Sequence, residues 1–140
     1  MVDKKKFEYF EHTADVGMRV FGGDLKELFE NAASGMFEIL CDGTYFDAEA
    51  LRKIEIHAED SNELLHEWLS ELLYLFTCEK FFAKEFEVKT LEEKRLEADI
   101  RGSRLENFKG LKREIKAVTY HWLEVVKEAK GYTAKVIFDV

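Results

Sequence analysis

Three side chains that could take part in chemistry lie close together near the start of the chain, within residues 11–17 (EHTADVG). His12 offers an imidazole, Thr13 a hydroxyl and Asp15 a carboxylate. Short polar side chains between two apolar, strand-like runs can satisfy nearby backbone N–H groups or face an open site. The stretch alone is therefore compatible with a simple turn and with a functional site.

A second set of ionisable groups lies at the other end of the sequence. In a final strand, Phe138 would point inward and Asp139 outward, with the terminal carboxylate of Val140 beside it. Together with Asp15, these groups would supply three anionic oxygen ligands, which suit a hard cation such as Ca²⁺ or Mg²⁺ better than zinc. A frayed, solvated terminus is the alternative, and spacing alone does not show that positions 15 and 139 meet.

A third polar cluster comprises Lys116, Thr119, Tyr120 and His121. The sequence has no glycine-rich phosphate loop, no Cys/His spacing typical of a zinc site and no nucleophile elbow. Familiar enzyme motifs therefore do not assign a reaction to any of the three clusters.

Length and charge restrict the class of protein. With 140 residues, the chain is long enough for one domain over residues 1–140 with a sizeable core. The formal charge of −8 repels a phosphate backbone, which argues against tight, direct nucleic-acid binding and favours a basic protein surface or a metal cation as partner. No apolar run approaches the roughly 20 residues that span a bilayer, and the charged start does not resemble a signal peptide. We expect a soluble, cytoplasmic protein with no membrane partner.

Two helices are predicted, and each has its own start signal. Asp24 with Glu27, and Asp60 with Glu63, have the spacing of a capping box. Apolar residues then recur at steps of three and four, which predicts one buried stripe on each helix. Cys41 and Cys78 each close such a pattern, so both are expected to be buried free thiols. His57 and His66 are expected at the surface.

The remaining sequence alternates with the period of β-strands. Strands are predicted near residues 53–58, 86–90 and 96–100, and the last third is almost entirely strand-like, with runs at 115–119, 120–126 and 132–140. About seven or eight strands without regular βαβ alternation predict an α+β, two-layer sandwich. Two helices would pack on a largely antiparallel β-sheet. The polar residues 103–112 are predicted to form a loop.

Four motifs then resemble those of one known family and occur in the same order. They are HTADVG at 12–17, AASGMF at 32–37, KAVTYH at 116–121 and VIFDV at 136–140. The chain is similar over its full length to the archease family.

The resemblance implies an accessory protein of tRNA splicing that activates an RNA ligase. Archeases are understood to promote guanylylation and multiple turnover of the ligase and to broaden its use of nucleoside triphosphates, without catalysing ligation. By the same resemblance, Asp15, Asp139 and Val140 hold a divalent cation, with Ca²⁺ expected before Mg²⁺ or Mn²⁺. The family often ends in isoleucine, and Val140 leaves that carboxylate intact. His12, Lys116 and His121 are candidates for supporting the site or contacting the ligase.

Two other functions remain open from the sequence. The protein could be a small metal-dependent phosphohydrolase or nucleotidyl-transfer enzyme in which His12 or His121 is the base. It could also be a chaperone-like binding module that engages partners through residues 103–112 and needs no metal. Nucleotide turnover by the isolated protein would distinguish the first alternative, and full activity of Asp15→Asn would favour the second.

Overall fold

The computed structural model describes residues 5–12, 14–105 and 109–140, with only the main chain of His12. Within these residues, eight strands and two α-helices follow one another in this order: β1 Phe7–His12, β2 Asp15–Gly22, α1 Leu25–Leu40, β3 Ala50–His57, α2 Ser61–Glu79, β4 Phe81–Leu91, β5 Arg95–Arg104, β6 Ala117–Val118, β7 Glu124–Glu128 and β8 Gly131–Asp139. A single 3-10 turn, Gly43–Tyr45, follows α1.

Both helices begin where the capping signals predict. The Asp24 carboxylate accepts the Glu27 N–H at 2.8 Å, and the Asp60 carboxylate accepts the Glu63 N–H at the same distance. Each bond satisfies one of the backbone donors that a helix start leaves without a partner. The two helices are joined through Trp68, whose buried indole N–H donates to the carbonyl of Phe29 at 3.0 Å.

The strands form two antiparallel sheets that pack against the helices, which confirms the α+β class. The five-stranded sheet has the order β1-β2-β8-β6, and β7 also pairs with β8. The three-stranded sheet has the order β3-β5-β4. The sequence pattern predicted a single sheet, and the structure divides it because β3, β4 and β5 pair only among themselves within the described residues. Helix α1 contacts β2 of one sheet and β4 of the other, so it joins the two.

The small residues at the centre of α1 let that helix approach the sheet closely. A Cβ at Gly35 would overlap the sulfur of Met18 and crowd the ring of Phe7. The Tyr9 hydroxyl donates to the Gly35 carbonyl at 2.7 Å across the same contact. The AASGMF stretch is therefore a packing surface, as its small residues predict.

The last third contains less strand than predicted. Between residues 115 and 126, the described strands are only β6 and the start of β7, and residues 120–123 form a turn closed by the bond from the Leu123 N–H to the Tyr120 carbonyl. Trp122 has a φ of 56°, in the left-handed region, which a strand does not allow. The predicted loop at 103–112 begins later than expected, because β5 continues to Arg104, and residues 106–108 of that prediction lie outside the described residues.

Four side chains, those of the two cysteines and of His57 and His66, test the expected burial. Cys41 is buried, as predicted, but the prediction for Cys78 is wrong because its side chain is exposed. At 3.6 residues per turn, position 78 lies outside the stripe formed by the buried residues of α2, which end at Leu75. His57 is exposed, as predicted. The prediction of a surface position for His66 is wrong, because its side chain is only 12% exposed. None of the described helices is long and apolar enough to cross a membrane.

Candidate carboxylate site at the end of the five-stranded sheet

The structure places Asp15 and Asp139 directly opposite each other, as the first cross-strand pair between β2 and β8. Residues paired in this way point to the same face of a sheet, with Cβ atoms about 4.5–5.5 Å apart. Asp139 is exposed and Asp15 is half-buried. Two carboxylates that are far apart in sequence therefore share one end of one sheet face.

This face is the one turned away from the helices. The neighbours of the pair on each strand, Val16 and Phe138, point the other way and join the core, where Phe138 is fully buried. The alternation that buries them forces Asp15 and Asp139 outward, as the sequence pattern predicts for Asp139. The apolar core thus fixes the direction of both carboxylates.

Strand β6 pairs with β8 at Asp139, on the side of β8 opposite to β2. Ala117 is the register partner of Asp139, and the Lys116 N–H donates to the Asp139 carbonyl at 2.7 Å. The side chain of Lys116 is exposed. The KAVTYH motif therefore begins beside the carboxylate pair, and its main chain is hydrogen-bonded to Asp139.

The main chain of His12 completes the other side, because His12 pairs with Asp15 at the end of the β1–β2 hairpin. The His12 side chain and Thr13 lie outside the described residues. Three of the four motifs found in the sequence, those beginning at His12, Lys116 and Val136, converge at this end of the sheet.

The two remaining candidates, Val140 and His121, lie at different places: Val140 directly beside the pair and His121 on a connection between strands. Val140 directly follows Asp139, and its side chain is partly buried against the core. His121 is exposed on the connection between β6 and β7, where its N–H donates to the Thr119 hydroxyl at 3.2 Å. Its ring stacks on Trp122 with centroids 4.6 Å apart. These two contacts are with residues of its own turn.

The donors at the pair are hard oxygen atoms, which fit Ca²⁺ or Mg²⁺ rather than a soft metal. Within the described part of the chain, no three His, Cys, Asp or Glu side chains form a group that could hold a metal ion. Two aspartates facing each other are thus the side-chain part of a candidate cation site, and a third ligand must come from elsewhere, for which the Val140 carboxylate is the sequence-based candidate.

Aromatic and basic side chains lie farther along the same face. A Cβ at Gly17 would overlap the ring of Phe10, so this glycine lets the ring lie across the strand. The Arg19 guanidinium and the Lys135 ammonium are each 5.9 Å from the Phe10 ring centroid. Lys135 is four residues before Asp139, about 13 Å along the strand. Sequence spacing gave no signal for this cluster, because its members come from three different strands.

Comparison with known proteins agrees with the motifs and the fold. The profile of the Archease protein family (MTH1598/TM1083) matches residues 7–140. The chain belongs to the archease family.

Relatives and solved structures of the family match nearly the whole chain. The archeases of Methanosarcina barkeri and Methanothermobacter thermautotrophicus are each 39% identical to it, covering 97% of this chain and 97% and 99% of their own lengths. The solution structure of protein 1598 from Methanobacterium thermoautotrophicum is 38% identical, with a TM-score of 0.85, covering 96% of this chain and 98% of that one. The crystal structure of a Thermotoga maritima archease, described as a possible chaperone, shares the fold at a TM-score of 0.67 and 20% identity, covering 100% of this chain and 98% of that one.

Proposed function

We propose that this member of the archease family activates the tRNA-splicing RNA ligase in the cytoplasm. It promotes guanylylation and multiple turnover of the ligase and broadens its nucleotide use, and it acts as an accessory protein without catalysing ligation. The observation that carries the proposal is the cross-strand pair of Asp15 and Asp139. These are the two side chains that the family resemblance assigns to a cation site.

The proposed cofactor is a divalent cation, Ca²⁺ before Mg²⁺ or Mn²⁺, held by Asp15, Asp139 and the Val140 carboxylate. When bound, it supplies a concentrated positive charge with coordination positions open to a partner's oxygen atoms. The choice of a hard cation is supported by the all-oxygen donor set. Two facing carboxylates also repel each other, so a cation between them removes an unfavourable interaction.

The chain's own contribution is to present these carboxylates in a fixed position. Both aspartates sit on strands whose alternate residues are anchored in the core, and Asp139 is hydrogen-bonded through its main chain to Lys116. A site on strands is held more tightly than a site on a loop. The exposure of Asp139 leaves the site accessible to a partner at the open face of the sheet. His12, Lys116 and His121 are the residues proposed to support the site or to contact the partner.

The overall charge supports a protein partner rather than RNA. A net charge of −8 is unfavourable against a phosphate backbone, whereas it complements the basic surface expected of an RNA-handling ligase. The proposal therefore includes no tight, direct binding of nucleic acid and no membrane partner.

Calorimetric titration with Ca²⁺ and ligase guanylylation with GTP test the proposal together. Asp15→Asn and Asp139→Asn keep the side-chain size and remove one charge each, so both should weaken Ca²⁺ binding at least about tenfold, given the large contribution of ligand charge to affinity. Both should also reduce guanylylation. The matched control is Asp99→Asn, which changes a strand aspartate on the three-stranded sheet.

Two outcomes would contradict the proposal in different ways. Normal guanylylation with both variants would favour the metal-independent binding module. Nucleotide turnover by the isolated protein with Mg²⁺ or Mn²⁺, lost in the same variants, would favour a phosphohydrolase or nucleotidyl-transfer enzyme.

A further inference from the structure

A short segment, residues 116–120, runs along the strand that carries Asp139 and is hydrogen-bonded to it. The Lys116 N–H donates to the Asp139 carbonyl at 2.7 Å. The Thr119 N–H and hydroxyl both donate to the Ile137 carbonyl, at 3.0 and 2.9 Å. Because β6 itself has only two residues, it cannot hold this segment in place without other support.

Helix α2 provides that support through His66. Its Nε2 lies 2.8 Å from the Val118 carbonyl oxygen. The imidazole also stacks on the ring of Tyr120, with centroids 3.6 Å apart and planes at 14°. The Tyr120 hydroxyl in turn donates to the Glu67 carboxylate at 3.4 Å. The segment is therefore fixed to α2 on both sides of Thr119.

The hydrogen bond assigns the proton on His66. A carbonyl oxygen only accepts, so Nε2 must carry the hydrogen. The second nitrogen, Nδ1, is buried and makes no hydrogen bond within the described part of the chain. A phenylalanine would stack equally well, so the function that distinguishes histidine here is the donor it presents to the Val118 carbonyl.

The groups that face His66 are acidic or aromatic. Glu67 Oε1 lies 3.5 Å from Nδ1. On the other side of the stack, burial raises the pKa of Tyr120, and Glu67 and Glu63 raise it further. Tyr120 is therefore a neutral hydroxyl donor under ordinary conditions, which is the state that its bond to Glu67 requires.

We propose that His66 is a positioning residue for the carboxylate pair. It fixes residues 116–120 to α2, and through the N–H groups of Lys116 and Thr119 it holds Asp139 opposite Asp15. The inference deepens the proposed function, since it rests on the carboxylate pair being the working site. The local ordering of Asp139 does not itself require a cation.

The test compares His66→Phe, which keeps a stacking ring and removes the donor, with His66→Gln, which keeps an N–H donor. The control is His57→Phe, at an exposed histidine on β3. Hydrogen exchange followed by NMR measures protection of the Lys116 and Thr119 amides, and calorimetry measures Ca²⁺ affinity. In His66→Phe, we expect both amides to exchange about three- to tenfold faster, the effect of one lost buried hydrogen bond.

Calcium affinity should fall in His66→Phe by a similar factor, and His66→Gln should restore part of both effects. Amides of the β3–β5 ladder lie in the other sheet and should keep wild-type protection. They serve as a control, because a general loss of stability would accelerate exchange there as well. Wild-type protection of Lys116 and Thr119 in His66→Phe would overturn the inference, as would uniform acceleration across both sheets. Faster local exchange with unchanged Ca²⁺ affinity would overturn the link to the carboxylate pair.

The same experiment separates this inference from the proposed function. If the wild-type protein binds no Ca²⁺, the proposed cation site is wrong, whereas the exchange of Lys116 and Thr119 still decides whether His66 positions Asp139.

Discussion

At the scale of single residues, Glu30 joins α1 to the three-stranded sheet. Its carboxylate accepts the Val88 N–H at 2.8 Å, beside the irregularity in β4 between Val88 and Thr90. Burial raises the pKa of Glu30 above its usual value of 4.5, and the bond from Val88 offsets part of this effect. The folded protein therefore binds a proton at Glu30 more tightly than the unfolded chain does.

This shift predicts how Glu30 contributes to stability as the pH changes. A raised folded-state pKa contributes stability that is fully present below the unfolded value near 4.5 and is lost as pH rises through the folded value. Glu30→Gln keeps an oxygen acceptor for Val88 and removes the titration. Relative to wild type, Glu30→Gln should therefore be more stable at pH 7 than at pH 4. The difference in free energy of unfolding, variant minus wild type, should be more positive at pH 7.

Urea unfolding at the two pH values measures this difference, with Glu92→Gln in the exposed β4–β5 turn as control. A difference that is equal at both pH values, or that reverses, would contradict the role given to burial.

The two cysteines should differ in reactivity. Burial raises the pKa of Cys41 to about 11, so its thiol stays protonated at neutral pH, whereas Cys78 is exposed. A thiol reagent at pH 8 should modify one residue in the folded protein and the second only after unfolding. Cys78→Ser should abolish the fast reaction, and a fast reaction that survives in this variant would show that Cys41 is accessible.

At the scale of elements, the hairpin of β4 and β5 depends on a close backbone approach at Gly102. A Cβ there would overlap the carbonyl oxygen of Phe82, and backbone atoms cannot move aside as a side chain can. Gly102→Ala should lower the free energy of unfolding by about 1–3 kcal/mol, the usual range for overpacking. At Gly23, by contrast, a Cβ would meet only the end of the Glu27 side chain, 3.8 Å away.

Denaturant unfolding of the two alanine variants checks this prediction. Gly23→Ala should stay within about 0.5 kcal/mol of wild type, as surface substitutions usually do. Equal stability of the two variants would mean that β4 and β5 can separate at Gly102 without cost.

The sequence was a good guide to elements whose signals are local. The caps at Asp24 and Asp60 and the alternation in β3 and β8 depend on neighbouring residues, so spacing alone identified them. The turn at 120–123 was missed because its apolar residues look strand-like. Its conformation is set by a distant contact, the stack of Tyr120 on His66, and by the left-handed backbone of Trp122.

The candidate site shows the same limit. Sequence spacing could propose Asp15 and Asp139 as oxygen donors, but only the pairing of β2 with β8 brings them together. The positioning contacts of Lys116, Thr119 and His66 use main-chain atoms on one side of each bond, so no residue type in the sequence marks them.

At the scale of the whole molecule, the outer faces of the two sheets differ in character. On the three-stranded sheet, oppositely charged side chains pair across strands, as Lys53 does with Asp99 at 3.5 Å and Arg95 with Glu55 at 3.3 Å. Such exposed pairs contribute little to stability and keep a surface hydrated. The five-stranded sheet also has such a pair, Arg19 with Glu8 at 3.7 Å, and in addition carries Asp15 and Asp139 at one end, with Trp122 exposed on the connection between β6 and β7. The facing carboxylates make the outer face of the larger sheet the proposed working face.

The most direct test is multiple-turnover ligation by the cognate ligase. The reaction is run with the wild-type protein, with Asp15→Ala, and with a variant extended by two residues beyond Val140, which displaces that carboxylate and leaves every side chain unchanged. If the carboxylate site is the working part of the protein, the wild type should activate the ligase and both variants should fail. Equal activation by all three would contradict the account and would place the function on another surface.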